Sequence, residues 1–294
     1  MWTVVLAMLA LTEPLTSPFS AEPEALDRAC VARLASVSTE GVQPYAPFDH
    51  ADGVLDVDLG ITQPGECDLR LTFRSVNRNR MIRGKHALDY RLQAANGQWI
   101  ETDGVNFEML NTLRQGRTAQ AIEIFAIMPE GQWLPPGVYI DRLIIQLYDG
   151  DRLLNENETR LAALVVSQAT IQVAGSASAG FGYDGGASLD FGRLESGEEK
   201  SVYLFVQSNA KFLLNLSSEH QGRMTRVDKG FDGAFLDYDA WIDSRALDLR
   251  SPVSFRPGGL RRRPLELRVR IGDVAGKPAG DYRDTITVDV VLLE

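Results

Sequence analysis

The chain has 294 residues, 44% hydrophobic and 24% charged, enough for two soluble domains that each bury a core. Its net charge of −10 argues against a nucleic-acid partner, which would want a basic face. The one basic run, Arg261-Arg262-Arg263 after Gly258-Gly259, reads as a solvated loop rather than a phosphate or lipid contact.

Residues 1–21 read as an export signal. Trp2 to Leu11 is apolar but too short to span a bilayer, and small residues at Ser20 and Ala21 suit cleavage. A buried N-terminal strand is the rival reading, and Glu13-Pro14 ends the run too abruptly for it. A polar segment, Glu22 to Ala29, leads to a strand at Cys30 to Val37. Val54 to Ile61 alternates, with Leu55, Val57, Leu59 and Ile61 on one face. Pro64-Gly65 turns the chain into a second alternation, Cys67 to Phe73. Ser75 to Lys85 is basic, polar and loop-like. Leu88 to Leu92 is a strand, Asn96-Gly97 is a hairpin signal, and 98–118 is irregular. Ala121 to Met128 is strongly apolar, and the turn Pro135-Pro136-Gly137 opens a strand carrying Leu143, Ile145 and Leu147. After Asp149-Gly150-Asp151 comes another apolar run, Leu161 to Val166.

The second half replays this order. Pro135-Pro136-Gly137-Val138-Tyr139-Ile140-Asp141 returns 143 residues on as Pro278-Ala279-Gly280-Asp281-Tyr282-Arg283-Asp284, again with a strand after it: Ile286, Val288, Val290. The same shift sets Leu69, Leu71 and Phe73 on Phe212, Leu214 and Leu216, and Arg80-Met81 on Arg223-Met224. Leu88-Asp89-Tyr90 meets Leu236-Asp237-Tyr238 after a small insertion. Further strands read at Ser201 to Val206, Lys211 to Leu216, Leu236 to Ile242 and Leu265 to Ile271, with a glycine-rich turn at Gly180 to Gly186. No long amphipathic helix is legible. The pattern predicts an all-β chain of two tandem sandwiches, each of roughly 130 residues.

The two cysteines, Cys30 and Cys67, both fall in the first copy. An even pair in an exported chain favours a disulfide over two buried thiols. At the 143-residue shift both positions become small apolar residues, Val173 and Ala210, as expected when a bridge is lost whole. The second copy has no counterpart of the run at Leu161 to Val166. Residues 22–168 are therefore expected to form a complete sandwich whose own last strand spans about 159–168. Residues 169–294 are expected to form one that lacks its last strand and accepts a donor along Ile286, Val288, Val290 and Leu292.

Leu189-Asp190-Phe191-Gly192, Arg223-Met224, Leu236-Asp237-Tyr238 and Pro278 to Val288, in this order and spacing, resemble the spore coat protein U domain. That domain is the pilin fold of archaic, Csu-type chaperone–usher pili. The resemblance covers residues 170–294 and, more weakly, 30–148; the missing second-half cysteines and the irregular 98–118 depart from it. It implies immunoglobulin-like subunits that fold with a periplasmic chaperone, pass an outer-membrane usher and receive a donor strand from the next pilin subunit on the cell surface. A two-domain member resembles the tip adhesin of such a pilus, active in attachment and biofilm formation. Only about eight acidic, proline-bearing residues separate the expected cleavage point from Cys30, so the chain is expected to accept a strand and give none.

In such adhesins apolar loops at the far end of the first domain meet an unknown receptor. The candidates here are Trp99 and Ile100 after the hairpin turn, Phe107 in the irregular stretch, and Trp133 and Leu134 beside Pro135. The alternatives are a pilus adaptor that binds no receptor, or a secreted carbohydrate-binding or hydrolytic sandwich. Catalysis, metal and cofactor are not expected. His50, His86 and His220 lack metal-ligand spacing, no Gly-x-Ser-x-Gly elbow occurs, and Gly180 to Gly186 lacks the ending of a phosphate loop. Clusters such as Glu195, Glu198, Glu199 and Asp237, Asp239, Asp243 read as solvated faces in so acidic a chain.

Overall fold

The computed structural model describes residues 30–62, 67–102, 119–175, 179–181, 186–228, 233–257 and 264–293. The expected signal segment, Phe107, Arg261 to Arg263 and most of the glycine-rich turn lie outside these residues. Within them the chain is all strand and loop, without a helix.

The first sandwich uses β1 (Arg33–Thr39), β2 (Gln43–Tyr45), β3 (Gly53–Thr62), β4 (Leu69–Ser75), β5 (Arg80–Arg83), β6 (His86–Asp89), β7 (Arg91–Ala94), β8 (Trp99–Ile100), β9 (Ala119–Met128), β10 (Gly137–Asp149) and β11 (Arg152–Val165). One sheet runs β1-β3-β9-β7-β8. The other is centred on β10, with β11 along one edge and β4 and β5 along the other. Alternation decides what goes inside. Leu55, Val57, Leu59 and Ile61 of β3 face Leu71 and Phe73 of β4, Leu143, Ile145 and Leu147 of β10, and Leu161, Ala163 and Val165 of β11, all buried. The stretch from Ser75 to Lys85, expected as a loop, holds β5. Its polar sequence hides the strand, which forms because Ile82 pairs with Ile140 of β10 and Met81 fills the core.

Cys30 and Cys67 form a disulfide with Cα atoms 5.2 Å apart. It ties the residues preceding β1 to those preceding β4, across a loop whose closure stabilises the fold by about 3–4 kcal/mol.

The second sandwich uses β12 (Ala169–Gly175), β13 (Ala179–Phe181), β14 (Ala187–Leu189), β15 (Glu199–Ser208), β16 (Phe212–Ser218), β17 (Arg223–Arg226), β18 (Phe235–Ile242), β19 (Arg245–Leu247), β20 (Val253–Phe255), β21 (Leu265–Ile271), β22 (Tyr282–Arg283) and β23 (Ile286–Leu292). Its larger sheet starts β12-β15-β21-β18, and its smaller one is β20-β16-β23. A separate core of Val202, Leu204, Phe212, Leu214, Leu216, Leu236, Leu267 and Ile271 lies between them.

The sandwiches meet around Asn209, which is fully buried. Its side-chain amide donates to the carbonyls of Leu134 (3.1 Å) and Val166 (2.8 Å), and its side-chain oxygen accepts from the backbone N–H of Gln168 (2.8 Å). Gln168 reaches back, accepting from the N–H of Phe48 and donating to Asp49.

Candidate functional site

The two copies differ most along one edge. β10 is hydrogen-bonded on both sides, to β4 from Leu143 to Asp149 and to β11 over its whole length. β23 pairs with β16 from Ile286 to Leu292, the counterpart of the β4 ladder, and among the described residues no strand pairs with its other edge. Burial follows. Leu143, Ile145 and Leu147 are fully buried, whereas Ile286, Val288, Val290 and Leu292 are only half-buried although they touch the core. Ile171 and Val173 of β12, which neighbours β23, are likewise half-buried against this core. An apolar row beside unpaired backbone groups is a template for a further strand.

β11 shows how the first copy fills this place. It runs antiparallel to β10, with Leu161 opposite Asp141, Ala163 opposite Tyr139 and Val165 opposite Gly137, and all three side chains are buried. On its far side Ala163 to Val165 pair in parallel with β2. Further back, Asn155 and Asn157 point inward and bond β1. The N–H of Leu34 donates to the Asn155 side-chain oxygen (2.9 Å), and both asparagine amides donate to the carbonyl of Leu34 (3.2 Å).

A buried carboxylate stands beside the edge in each copy. Asp141 accepts from the Ser75 hydroxyl (2.6 Å), the Asn77 side-chain amide (2.8 Å) and the Tyr90 hydroxyl (2.8 Å). Asp284 accepts from the Ser218 hydroxyl (2.7 Å), the His220 backbone N–H (3.1 Å) and the Tyr238 hydroxyl (2.5 Å), with His220 Nδ1 also at 3.1 Å. Burial first, and then the bond to Asp284, hold the Tyr238 phenol well above its ordinary range, so it stays a donor at physiological pH. Tyr139 and Tyr282 donate alike to the carbonyls of Pro135 and Pro278. Gly137 has φ +135°, and a Cβ there would collide with the Arg83 side chain. The repeated Pro-x-Gly-x-Tyr-x-Asp pattern is thus a corner that pins the start of β10 and of the β22–β23 segment. Its signal was legible, but the serine partners fell outside the motifs matched between the copies.

The expected adhesive residues scatter. Trp99 is exposed on the outer face of the first sheet, with the Arg91 guanidinium stacked 4.1 Å from its ring centre. Ile100, one residue on, points the other way into the core opposite Leu92, so it is not a surface residue. Trp133 packs edge-on against Phe48, with ring centres 4.9 Å apart. Leu134 packs on the first core and its carbonyl is held by Asn209. These two therefore sit at the junction with the second sandwich, not at the far end. The surface that does form around Trp99 includes residues that the sequence placed in strands without a binding role: Phe125, in its row through Gln93, and Ile127 and Val54 in the next row. Val54 is 46% exposed and Trp99 39%.

No family model and no curated sequence matches the chain. Among solved structures it is similar to the CsuC–CsuE chaperone–tip adhesion subunit pre-assembly complex from the archaic chaperone–usher Csu pili of Acinetobacter baumannii. Identity is 16%, covering 89% of this chain and 99% of that one, with a TM-score of 0.47. A second is the CupB6 tip adhesin of Pseudomonas aeruginosa, at 11% identity, covering 88% and 94%, with a TM-score of 0.38. A third is a point mutant of the CFA/I adhesin CfaE of enterotoxigenic E. coli, at 10% identity, covering 90% and 82%, with a TM-score of 0.32.

Proposed function

We infer that the chain is the terminal, adhesive subunit of a chaperone–usher pilus and that it works by binding, not catalysis. The observation that carries this is the edge of β23, unpaired where the edge of β10 is filled by β11. In the periplasm a chaperone strand covers it, and at an outer-membrane usher the N-terminal strand of the next pilin subunit replaces that strand. Covering the half-buried row from Ile286 to Leu292 is worth about 1–2 kcal/mol per side chain, so the edge strongly favours being occupied by one strand or the other. Among the described residues the first sandwich fills this place with its own β11, which suits a terminal position. The sequence resemblance to spore coat protein U domains supports the same reading. The receptor face is the outer sheet surface around Trp99, Phe125 and Ile127, used in surface attachment and biofilm formation.

The test compares bacteria that assemble the full chain with bacteria that assemble Trp99→Ala/Phe125→Ala. The fibre is expected to form in both, with attachment to the native surface falling about 5–10-fold in the variant. Recovery of the full chain as a secreted monomer, free of fibre and chaperone, would sink the assembly role. Unchanged attachment by the variant would sink the receptor face.

A further inference from the structure

Resting on the fibre role of the second sandwich, we propose that the joint between the chain's two sandwiches is repeated at the corner around Lys277. There the next subunit docks an asparagine-bearing turn onto the Lys277 carbonyl, as Asn209 docks onto the Leu134 carbonyl within the chain. The partner is a further pilin, held through main-chain atoms at a surface separate from the open edge of β23.

The joint inside the chain has three parts. The first is the corner loop before β10, whose Leu134 carbonyl accepts from the Asn209 amide (3.1 Å). The second is the segment leaving β11. Its Val166 carbonyl accepts from the same amide (2.8 Å), and the Gln168 N–H donates to the Asn209 side-chain oxygen (2.8 Å). The third is the turn Ser208-Asn209-Ala210 between β15 and β16, buried throughout. The Gln168 carbonyl closes the set, accepting from the Asn209 N–H (3.3 Å) and the Ser208 hydroxyl (3.1 Å). One asparagine thus ties a corner, and the strand that completes its sandwich, to the sandwich that follows.

The second sandwich repeats the first of these parts. Lys277 stands in the place of Leu134 at the 143-residue shift. The same motif fixes it, with Tyr282 donating to the Pro278 carbonyl as Tyr139 does to that of Pro135. The clamp takes a main-chain carbonyl, so the change from leucine to lysine leaves it intact. Among the described residues the Lys277 carbonyl accepts no hydrogen bond. Exposure differs in the same sense. Pro135, Pro136 and Gly137 are half-buried, whereas Pro278, Ala279 and Gly280 are exposed. A strand taken by β23 enters where β11 lies beside β10, so the segment leaving it passes the Lys277 corner as Val166 and Gln168 pass Leu134. Within the chain only residues 166–168 separate β11 from β12. A tether that short holds the following sandwich at the corner, and the second contact then forms at high effective concentration. The clamp residue itself is not duplicated: Asn209 matches Glu66 at the same shift, so the asparagine belongs to the sandwich that follows another. Gly276 replaces Trp133, which packs on Phe48 in the first joint, so the repeated joint rests on hydrogen bonds without that aromatic contact.

Site-directed cross-linking in bacteria that assemble the fibre tests this. The photoreactive residue p-benzoylphenylalanine is placed in the full chain at Ala279, at Pro278 or at Asp289 of β23, all exposed, and at Pro136 as an internal reference. The reference is expected to cross-link within the chain, to residues 166–168 or 208–210. The labels at Ala279 and Pro278 are expected to capture the next subunit at the stretches matching those residues, identified by mass spectrometry of the joined peptides. The label at Asp289 is expected to capture the donor strand. Capture at Asp289 with none at Ala279 or Pro278, or with an unrelated stretch captured there, overturns the joint and leaves the acceptor role standing. Assembled fibres in which none of the three labels captures a neighbour remove the acceptor role and the joint together.

Discussion

Replacing Asp141 by alanine is expected to cost the first sandwich about 3–5 kcal/mol, and Asp284→Ala to cost the second a similar amount. Each carboxylate is buried and is the shared acceptor for three residues from two separate parts of the chain: Ser75, Asn77 and Tyr90 in one copy, Ser218, His220 and Tyr238 in the other. Removing it leaves dehydrated donors facing the core and frees the corner that starts β10 or β23. Denaturant unfolding of the full chain, followed by separate probes in the two halves, should show each substitution shifting only its own transition. A loss below about 1 kcal/mol in either case would mean that the carboxylate is a passenger in the corner.

Leu161→Asp is expected to have the second large effect, about 4 kcal/mol or more on the first sandwich. Leu161 is fully buried on β11, and its register partner across the ladder is Asp141, so the new carboxylate enters a dry core beside an existing one. The strand should detach, leaving the first sandwich with the kind of open edge that the second has by construction. Leu161→Ala, which keeps the strand apolar, should cost about 2–4 kcal/mol and leave it paired. Proteolysis between β10 and β11 distinguishes the cases, with rapid cleavage at 150–160 expected for the aspartate variant alone. If that variant resists cleavage as the parent does, β11 is not what closes the first core.

The architecture was legible because duplication left a ruler in the sequence. Matched Pro-x-Gly-x-Tyr-x-Asp corners and alternating strands at one shift located β10 and β23, and among the described residues β23 has no partner in the place that β11 takes beside β10. Cys30 and Cys67 were legible for the same reason, since both were replaced together in the second copy. β5 was hidden because its polar sequence becomes a strand only through its neighbours β6 and β10. The adhesive candidates are separated in the fold for geometric reasons. Adjacent residues on a strand face opposite ways, which separates Trp99 from Ile100. A sandwich loop carries no mark of which end it occupies, so nothing near Trp133 and Leu134 reveals that Asn209, some 75 residues later, will hold that loop. Phe125 and Ile127 lie in a run read simply as strongly apolar, in which Ile122, Ile124, Ala126 and Met128 turn inward and the residues between them outward.

The central claim is that β23 carries an edge waiting for a strand, and residue-resolved hydrogen exchange on the full chain tests it most directly. Amides of β10 should be protected along both edges. In β23 the alternate amides that face β16 should be protected, while those between them exchange quickly until a donor peptide is added and then slow by orders of magnitude. Uniform protection of β23 with no added strand would show the second sandwich to be already closed, and the acceptor role would fall.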